Sequence, residues 1–297
     1  MELVRSKKSK YISKMKTLKI AGVPEHFNLP WHLCIENNEF EKFGIHLQWT
    51  NVPEGTGRLC KMLSEGTTDI AIILTEGIIK DIIAKNPSKI VQTYVESPLL
   101  WGIHVDVNSP LKTISDLENK KVAISRYGSG SHLMSIVHAK QCGWNTNNLK
   151  FEVVNTIDGA IKSLATGTAD YFMWEHFMTK PLVDAQIFKR LGDFPTPWPS
   201  FVIAVRNEIL ETHSEQIKAI LNIINAKTKK FKTIKNIENI LALKYNQKVE
   251  DINQWLALTK WSQKNLTENE VTTIQNQLFE LEIIDKKTTF TSLIKVL

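Results

Sequence analysis

The segments GTGRLCKMLSEGTTDIAIILTEG (residues 55–77) and DGAIKSLATGTADYFMWEHF (residues 158–177) share one order of residues. A glycine comes first, then apolar residues at helical spacing, then Gly-Thr-x-Asp leading into a strand-like run. The second Gly-Thr-x-Asp, Gly167 to Asp170, follows the first, Gly66 to Asp69, by 101 residues. Solenoid repeats run about 20–50 residues, so this period excludes them. It predicts two similar α/β lobes, and 297 residues suffice for two cores of about 100–150 residues each.

Each lobe alternates strand and helix patterns, as in a mostly parallel sheet covered on its faces. In the first, TLKIAGV, GIHLQWTNV and DIAIIL read as strands, and Pro30 to Glu41 and Arg58 to Ser64 as helices, with proline suited to a first helical turn. In the second, KVAIS, KFEVVN and ADYFMW read as strands. The helices there are LKTISDLENK, capped by Thr113 or Ser115, then SHLMSIVHAKQCGW and Ala160 to Leu164. Two long β-type segments, residues 90–105 and 199–210, are expected to join the lobes. From Ser214 onward the apolar spacing is helical and predicts helices that pack back on the first lobe. The expected division is residues 17–98 and 201–297 for one lobe and 99–200 for the other.

Charge narrows the function. Residues 1–19 hold seven Lys/Arg against the single acid Glu2, which accounts for the whole formal charge of +6. Residues 1–16 therefore read as a disordered basic tail on a formally neutral body. A nucleic-acid binder spreads its charge over a folded face, so no nucleic-acid partner is expected. No apolar run reaches the roughly 18 residues of a transmembrane segment. No secretory signal is visible, which places the chain in the cytoplasm as the sequence stands, or in the periplasm if a signal has been removed. Cys34, Cys60 and Cys142 are odd in number and lack metal-site spacing, so neither a disulfide framework nor a zinc site is indicated. No cofactor is expected.

The chemistry gathers at strand ends. In open α/β sheets ligands bind outside the carboxyl ends of strands. After KVAI the chain reads SRYGSGSH, residues 125–132. Gly128 and Gly130 permit close backbone approach, Ser129 and Ser131 add hydroxyls, Arg126 adds a bidentate cation, and Tyr127 and His132 flank the turn. A helix start of this kind suits a carboxylate, sulfonate or phosphate. The matching loop of the first lobe, PEHFNLP, brings Glu25, His26, Phe27 and Asn28 together. Thr75 and Glu76 follow DIAIIL, Glu54 to Thr56 follow the second strand, and Trp174, Glu175 and His176 follow ADYFM.

The order PEHF, then G-x-x-L-x-x-M-L-x-x-G-x-x-D-I-A, then D-L-x-x-K-K-V-A-I-S-R-x-G-S-G-S-H resembles the type 2 periplasmic-binding-protein fold. The nearest branch is similar to the alkanesulfonate, taurine and thiamine-precursor binding proteins, and within it to the Candida Ca3427-like subgroup. The resemblance covers residues 17–205 well and the helical C-terminus more loosely. It implies two Rossmann-like lobes joined by two crossing strands and closing on a small molecule. Carried over, the cleft would be lined by Glu25, His26, Phe27, Asn28, Thr75, Glu76, Arg126 to His132, Trp174 and Glu175. The implied role is capture of a small amphoteric or anionic molecule, with an ABC permease as partner. An enzyme on the same fold is the alternative. Thiamine-pyrimidine synthases resemble this fold but carry a cysteine-rich motif that the three dispersed cysteines do not match; enzymes of the futalosine route to menaquinone are also similar in fold, and there acid–base chemistry would rest on His26 beside Glu25. A cytoplasmic ligand sensor is a third class, without a DNA-binding helix pair ahead of the first lobe.

Overall fold

The computed structural model describes residues 15–297, so the basic tail up to residue 14 lies outside the described residues. Two five-stranded sheets organise the chain. The first has the order β2-β1-β3-β10-β4, built from Lys16–Gly22 (β1), Ile45–Asn51 (β2), Ile70–Leu74 (β3), Ser88–Val95 (β4) and Phe201–Arg206 (β10). The second has the order β7-β6-β8-β5-β9, built from Leu100–Asp106 (β5), Lys121–Ile124 (β6), Lys150–Val153 (β7), Tyr171–Glu175 (β8) and Phe188–Pro195 (β9). Position by position the two sheets match. In each, three parallel strands are followed by an antiparallel strand, β10 or β5, that arrives from the other lobe.

The repeated Gly-Thr-x-Asp does the same structural work twice. Helices Leu29–Glu36 (α1), Thr56–Glu65 (α2) and Thr75–Ile83 (α3) cover the first sheet, and Gly130–Gln141 (α4), Ile157–Ala165 (α5) and His176–Asp184 (α6) the second. Gly66 ends α2 with φ of 72°, and Gly167 follows α5 with φ of 69°, both in the left-handed region where glycine costs least. Asp69 then accepts the backbone N–H of Lys19 at 2.8 Å, and Asp170 that of Lys121 at 2.7 Å. Each aspartate thus fastens the turn to the neighbouring parallel strand, and the repeat is explained by sheet construction rather than by ligand contact.

The crossing segments differ from the sequence reading. Residues 90–105 are two strands broken at Ser97 and Pro98, with β4 in one sheet and β5 in the other. The return crossing comes from β9, whose sequence FKRLGDFP lacks apolar alternation because it is a half-buried edge strand. The run after Arg206 is helix, Asn207–Thr212 (α7). The first helix ends at Glu36, short of Glu41, since Asn38 turns the chain at φ of 52°. The two crossings are bonded together: Thr196 N–H donates to the Leu99 carbonyl at 2.9 Å, and the Leu99 N–H to the Thr196 hydroxyl at 2.9 Å.

The C-terminal helices Ser214–Lys230 (α8), Ile237–Tyr245 (α9), Val249–Leu258 (α10), Glu268–Glu280 (α11) and Phe290–Leu293 (α12) pack on the first lobe, where Ile217, Ile224, Leu241, Ile252, Trp255 and Leu278 join its core. They also grip the second lobe. Gln247 donates to the Phe177 carbonyl at 3.1 Å, Lys248 pairs with Asp184 at 2.6 Å, and Lys180 with Asp251 at 3.7 Å. Among the described residues no helix is long and apolar enough to cross a membrane.

Candidate functional site

The parallel strands of both sheets point their carboxyl ends at the space between the sheets, and a cavity lies there. It encloses about 460 Å³ not filled by atoms, part of it open to solvent. From the first lobe it is walled by Val23 and Glu25 after β1, Glu54, Gly55 and Thr56 after β2, Leu74, and Phe201 at the start of β10. From the second lobe come Trp101 on β5, Ser125, Ser129, Gly130 and Ser131 at the start of α4, and Trp174 and Glu175 at the end of β8; Leu99 sits on the crossing.

The serine turn is pre-formed. Ser129 caps α4, its hydroxyl accepting the His132 N–H at 3.4 Å, and Ser131 Oγ accepts the Ser125 N–H at 3.0 Å. The first-turn amides of Gly130 and Ser131 have no acceptor within the helix. Gly130 is required by the packing, because a Cβ there would lie 2.9 Å from the Trp101 ring and 3.0 Å from Leu74. Gly128 holds φ of 78° and donates to His132 Nδ1 at 3.1 Å.

The acids are buried. Glu25 is held in the loop without capping any helix, and burial alone pushes its carboxyl up to about 7. Glu175 accepts the Met178 N–H at 2.7 Å as the cap of α6. Burial, and then the neighbouring charge of Glu25, raise it well above the carboxylate range. Among the described residues no Lys, Arg or His lines the cavity.

Of the residues read as a cleft from sequence, Glu25, Ser129, Gly130, Ser131, Trp174 and Glu175 come together there. Others take different places. His26 is fully buried with its ring 4.2 Å from that of Trp255 and packed on Phe27 and Tyr245, and burial pushes its imidazole down to about 3. Phe27 walls a second cavity behind the crossing strands, with Leu100, Phe177, Trp255, Leu258 and the same Glu175. Asn28 folds back to donate to the Val23 carbonyl at 2.9 Å. Thr75 donates to the Pro199 carbonyl at 2.6 Å, and Glu76 accepts the Trp198 indole N–H at 2.7 Å, so both serve the return crossing. Tyr127 is exposed and packs edge-on against His132 and Phe151.

Arg126 is the main correction. Its guanidinium reaches out of the second lobe to the Glu54 carbonyl of the first and lies over Gly57, so it ties the lobes at the rim instead of lining the cavity. Lys80 stands at the same rim, facing Gly128. The sequence reading missed Val23, Leu74, Leu99, Trp101, Ser125 and Phe201 as wall residues. Five of them lie at a strand boundary or in the crossing, where periodicity marks a strand but not which end faces a ligand. Among the described residues no group of three or more His, Cys, Asp or Glu is placed to hold a metal ion.

Comparison with known proteins agrees with this geometry. The family described as Ca3427-like PBP matches residues 101–194, which span β5 to β9. The structure of the CA3427 gene product of Candida albicans superposes with a TM-score of 0.86 at 26% identity, covering 95% of this chain and 96% of that one. The alkanesulfonate-binding protein SsuA of Xanthomonas axonopodis pv. citri, bound to MOPS, gives 0.80 at 14% identity over 95% and 98%. The aliphatic sulphonate binding protein SsuA of Escherichia coli gives 0.71 at 19% over 94% and 92%. No curated protein matches the sequence. The chain thus has the periplasmic-binding-protein fold, with two α/β sheets joined by two crossings, and its second sheet matches the Ca3427-like PBP family.

Proposed function

We propose that this chain is a solute-binding protein that captures a small amphoteric organic molecule between two hinged lobes, residues 17–98 with 201–297 and residues 99–200, and hands it to an ABC-type permease. One observation carries the reading: a single cavity is walled by strand-end loops of both lobes, with a helix start and serine turn from one and Glu25 from the other. An acidic group of the ligand would meet the Gly130 and Ser131 amides at the positive end of α4. Arg126 and Lys80 at the rim favour the same sign. A purely anionic ligand fits less well than an amphoteric one, because Glu25, Glu54 and Glu175 share the walls. Sulfonate-binding neighbours of the same fold support solute capture. Binding without chemistry suits these groups, since His26, the base an enzyme would use, is buried against Trp255 and does not line the cavity.

Native mass spectrometry of the purified protein tests this by revealing a retained molecule, and solution scattering by a smaller radius of gyration when that molecule is restored. A chain that carries no ligand and compacts with none would defeat the reading.

A further inference from the structure

Glu25 and Glu175 come from opposite lobes, on the loop after β1 and at the end of β8, and wall the same cavity. Both are more than nine-tenths buried, and they are close enough for the charge on Glu25 to raise the proton affinity of Glu175. Two buried carboxylates facing each other without a cation are costly. Among the described residues no Lys, Arg or His lines the cavity to supply one. His26, next to Glu25, is held neutral by burial, and Tyr245 at the end of α9 is pushed up by burial and then by Glu25 itself. Arg190 on β9 offsets part of the cost at Glu175, but it does not line the cavity, and its charge is shared with Asp193 at 4.0 Å while its guanidinium donates to the His176 carbonyl at 2.7 Å and the His104 ring at 3.2 Å. Among the described residues neither hydrogen bond nor cation offsets the burial of Glu25.

A second, independent feature points the same way. Trp101, Trp174 and Phe201 wall the cavity beside the two acids, and the Trp101 indole nitrogen is buried with no partner. Aromatic faces next to carboxylates favour an organic cation, which gains from the ring quadrupoles and from the charges. A hydrated metal ion would instead ask for several oxygens at fixed short distances.

We propose that Glu25 and Glu175 form the seat of a protonated nitrogen, so that the ligand of this cleft carries an ammonium or amidinium group on an aromatic or apolar body. This rests on the solute-binding reading above and names the ligand's class. The seat is complete only when the lobes meet, so the cation itself holds the cleft shut.

The test compares benzylamine, benzyl alcohol and benzenesulfonate by calorimetry on the full chain, the Glu25→Gln variant and the Glu175→Gln variant. Glutamine keeps the shape and, at Glu175, an oxygen for the helix cap. Because it mimics the protonated form that burial favours at both positions, both variants are expected to fold at least as stably as the parent. Benzylamine is expected to bind at least about tenfold more tightly than benzyl alcohol, the scale of one charge-assisted contact, and each variant should erase that preference. Equal binding of amine and alcohol, or a preference that survives both variants, overturns the cation seat. Binding of benzenesulfonate with compaction in that case leaves solute capture standing, whereas failure of all three probes together with no retained ligand brings both down.

Discussion

Glu76 offers a direct test of how the crossing is held. It is fully buried at the start of α3, one carboxylate oxygen accepts the Trp198 indole N–H at 2.7 Å, and the other has no partner. Burial raises its carboxyl from the ordinary 4.5 to about 7, against the smaller opposing effect of its hydrogen bonds. The protonated acid is therefore the form the fold prefers. Its contribution to stability is fully present below about pH 4.5 and is lost as the pH rises through about 7. At roughly 1.4 kcal/mol per decade of proton affinity, the charged form costs the fold about 3 kcal/mol above that window. Glu76→Gln mimics the protonated acid at every pH and keeps an oxygen for Trp198. It should match the parent near pH 4.5 and exceed it by about 2–3 kcal/mol near pH 8.5, allowing for the unpartnered amide hydrogens that replace the bare oxygen. Urea denaturation of both proteins at the two pH values reads the difference. A gain that is the same at both would mean that the carboxyl titrates normally and is not sealed under the crossing.

Gly159→Ala should cost about 2 kcal/mol or more, since a Cβ there would lie 2.0 Å from the Val154 carbonyl oxygen and the backbone would have to yield; wild-type stability in urea would show that this turn relaxes freely. Asp69→Ala and Asp170→Ala should each cost about 1 kcal/mol, the net worth of one strand-fastening hydrogen bond, and strongly unequal losses would separate the two halves of the repeat. Arg126→Ala removes the tie to the Glu54 carbonyl, so solution scattering of the ligand-free variant should show a larger radius of gyration than the parent; identical curves would make that contact incidental.

The repeat made the two-sheet plan legible because helix stop, turn and strand start leave local marks: left-handed glycines, a fastening aspartate and an apolar run. DIAIIL and ADYFMW could be read as buried strands for that reason. The edge strand β9 could not, as its Lys189, Arg190 and Asp193 point to partners across the sheet and at the surface that no local pattern encodes. Of the site, SRYGSGSH announced a helix start, and Ser129 to Ser131 do wall the cavity. Which way Arg126 turns depends on the Glu54 carbonyl 72 residues away. His26 looked like a ligand contact until Trp255, far along the chain, closed over it. Side-chain direction in loops is decided by such distant partners, whereas strand ends are decided locally.

The ties between the lobes set how strongly a ligand must pull. The polar ties are Arg126 to the Glu54 carbonyl, Lys248 to Asp184, Lys180 to Asp251, Gln247 to the Phe177 carbonyl, and Lys140 to the Glu280 carbonyl, and buried apolar side chains of the two lobes also form one continuous cluster. Exposed pairs of this kind contribute about 0–1 kcal/mol each, so the polar ties together bias the closed form by a few kcal/mol at most. A ligand shifts such a balance only by the difference in its affinity for the two forms. Because Trp101, Ser129 and Glu175 stand on one side of the cavity and Glu25, Leu74 and Phe201 on the other, an opened cleft keeps only half of the contacts. A ligand that binds the closed form with micromolar affinity, about 8 kcal/mol in total, would hold several kcal/mol of that in closure alone. On the solute-binding reading proposed above, that exceeds the bias of the polar ties, so a ligand would add more to closure than the clasp of the C-terminal helices does.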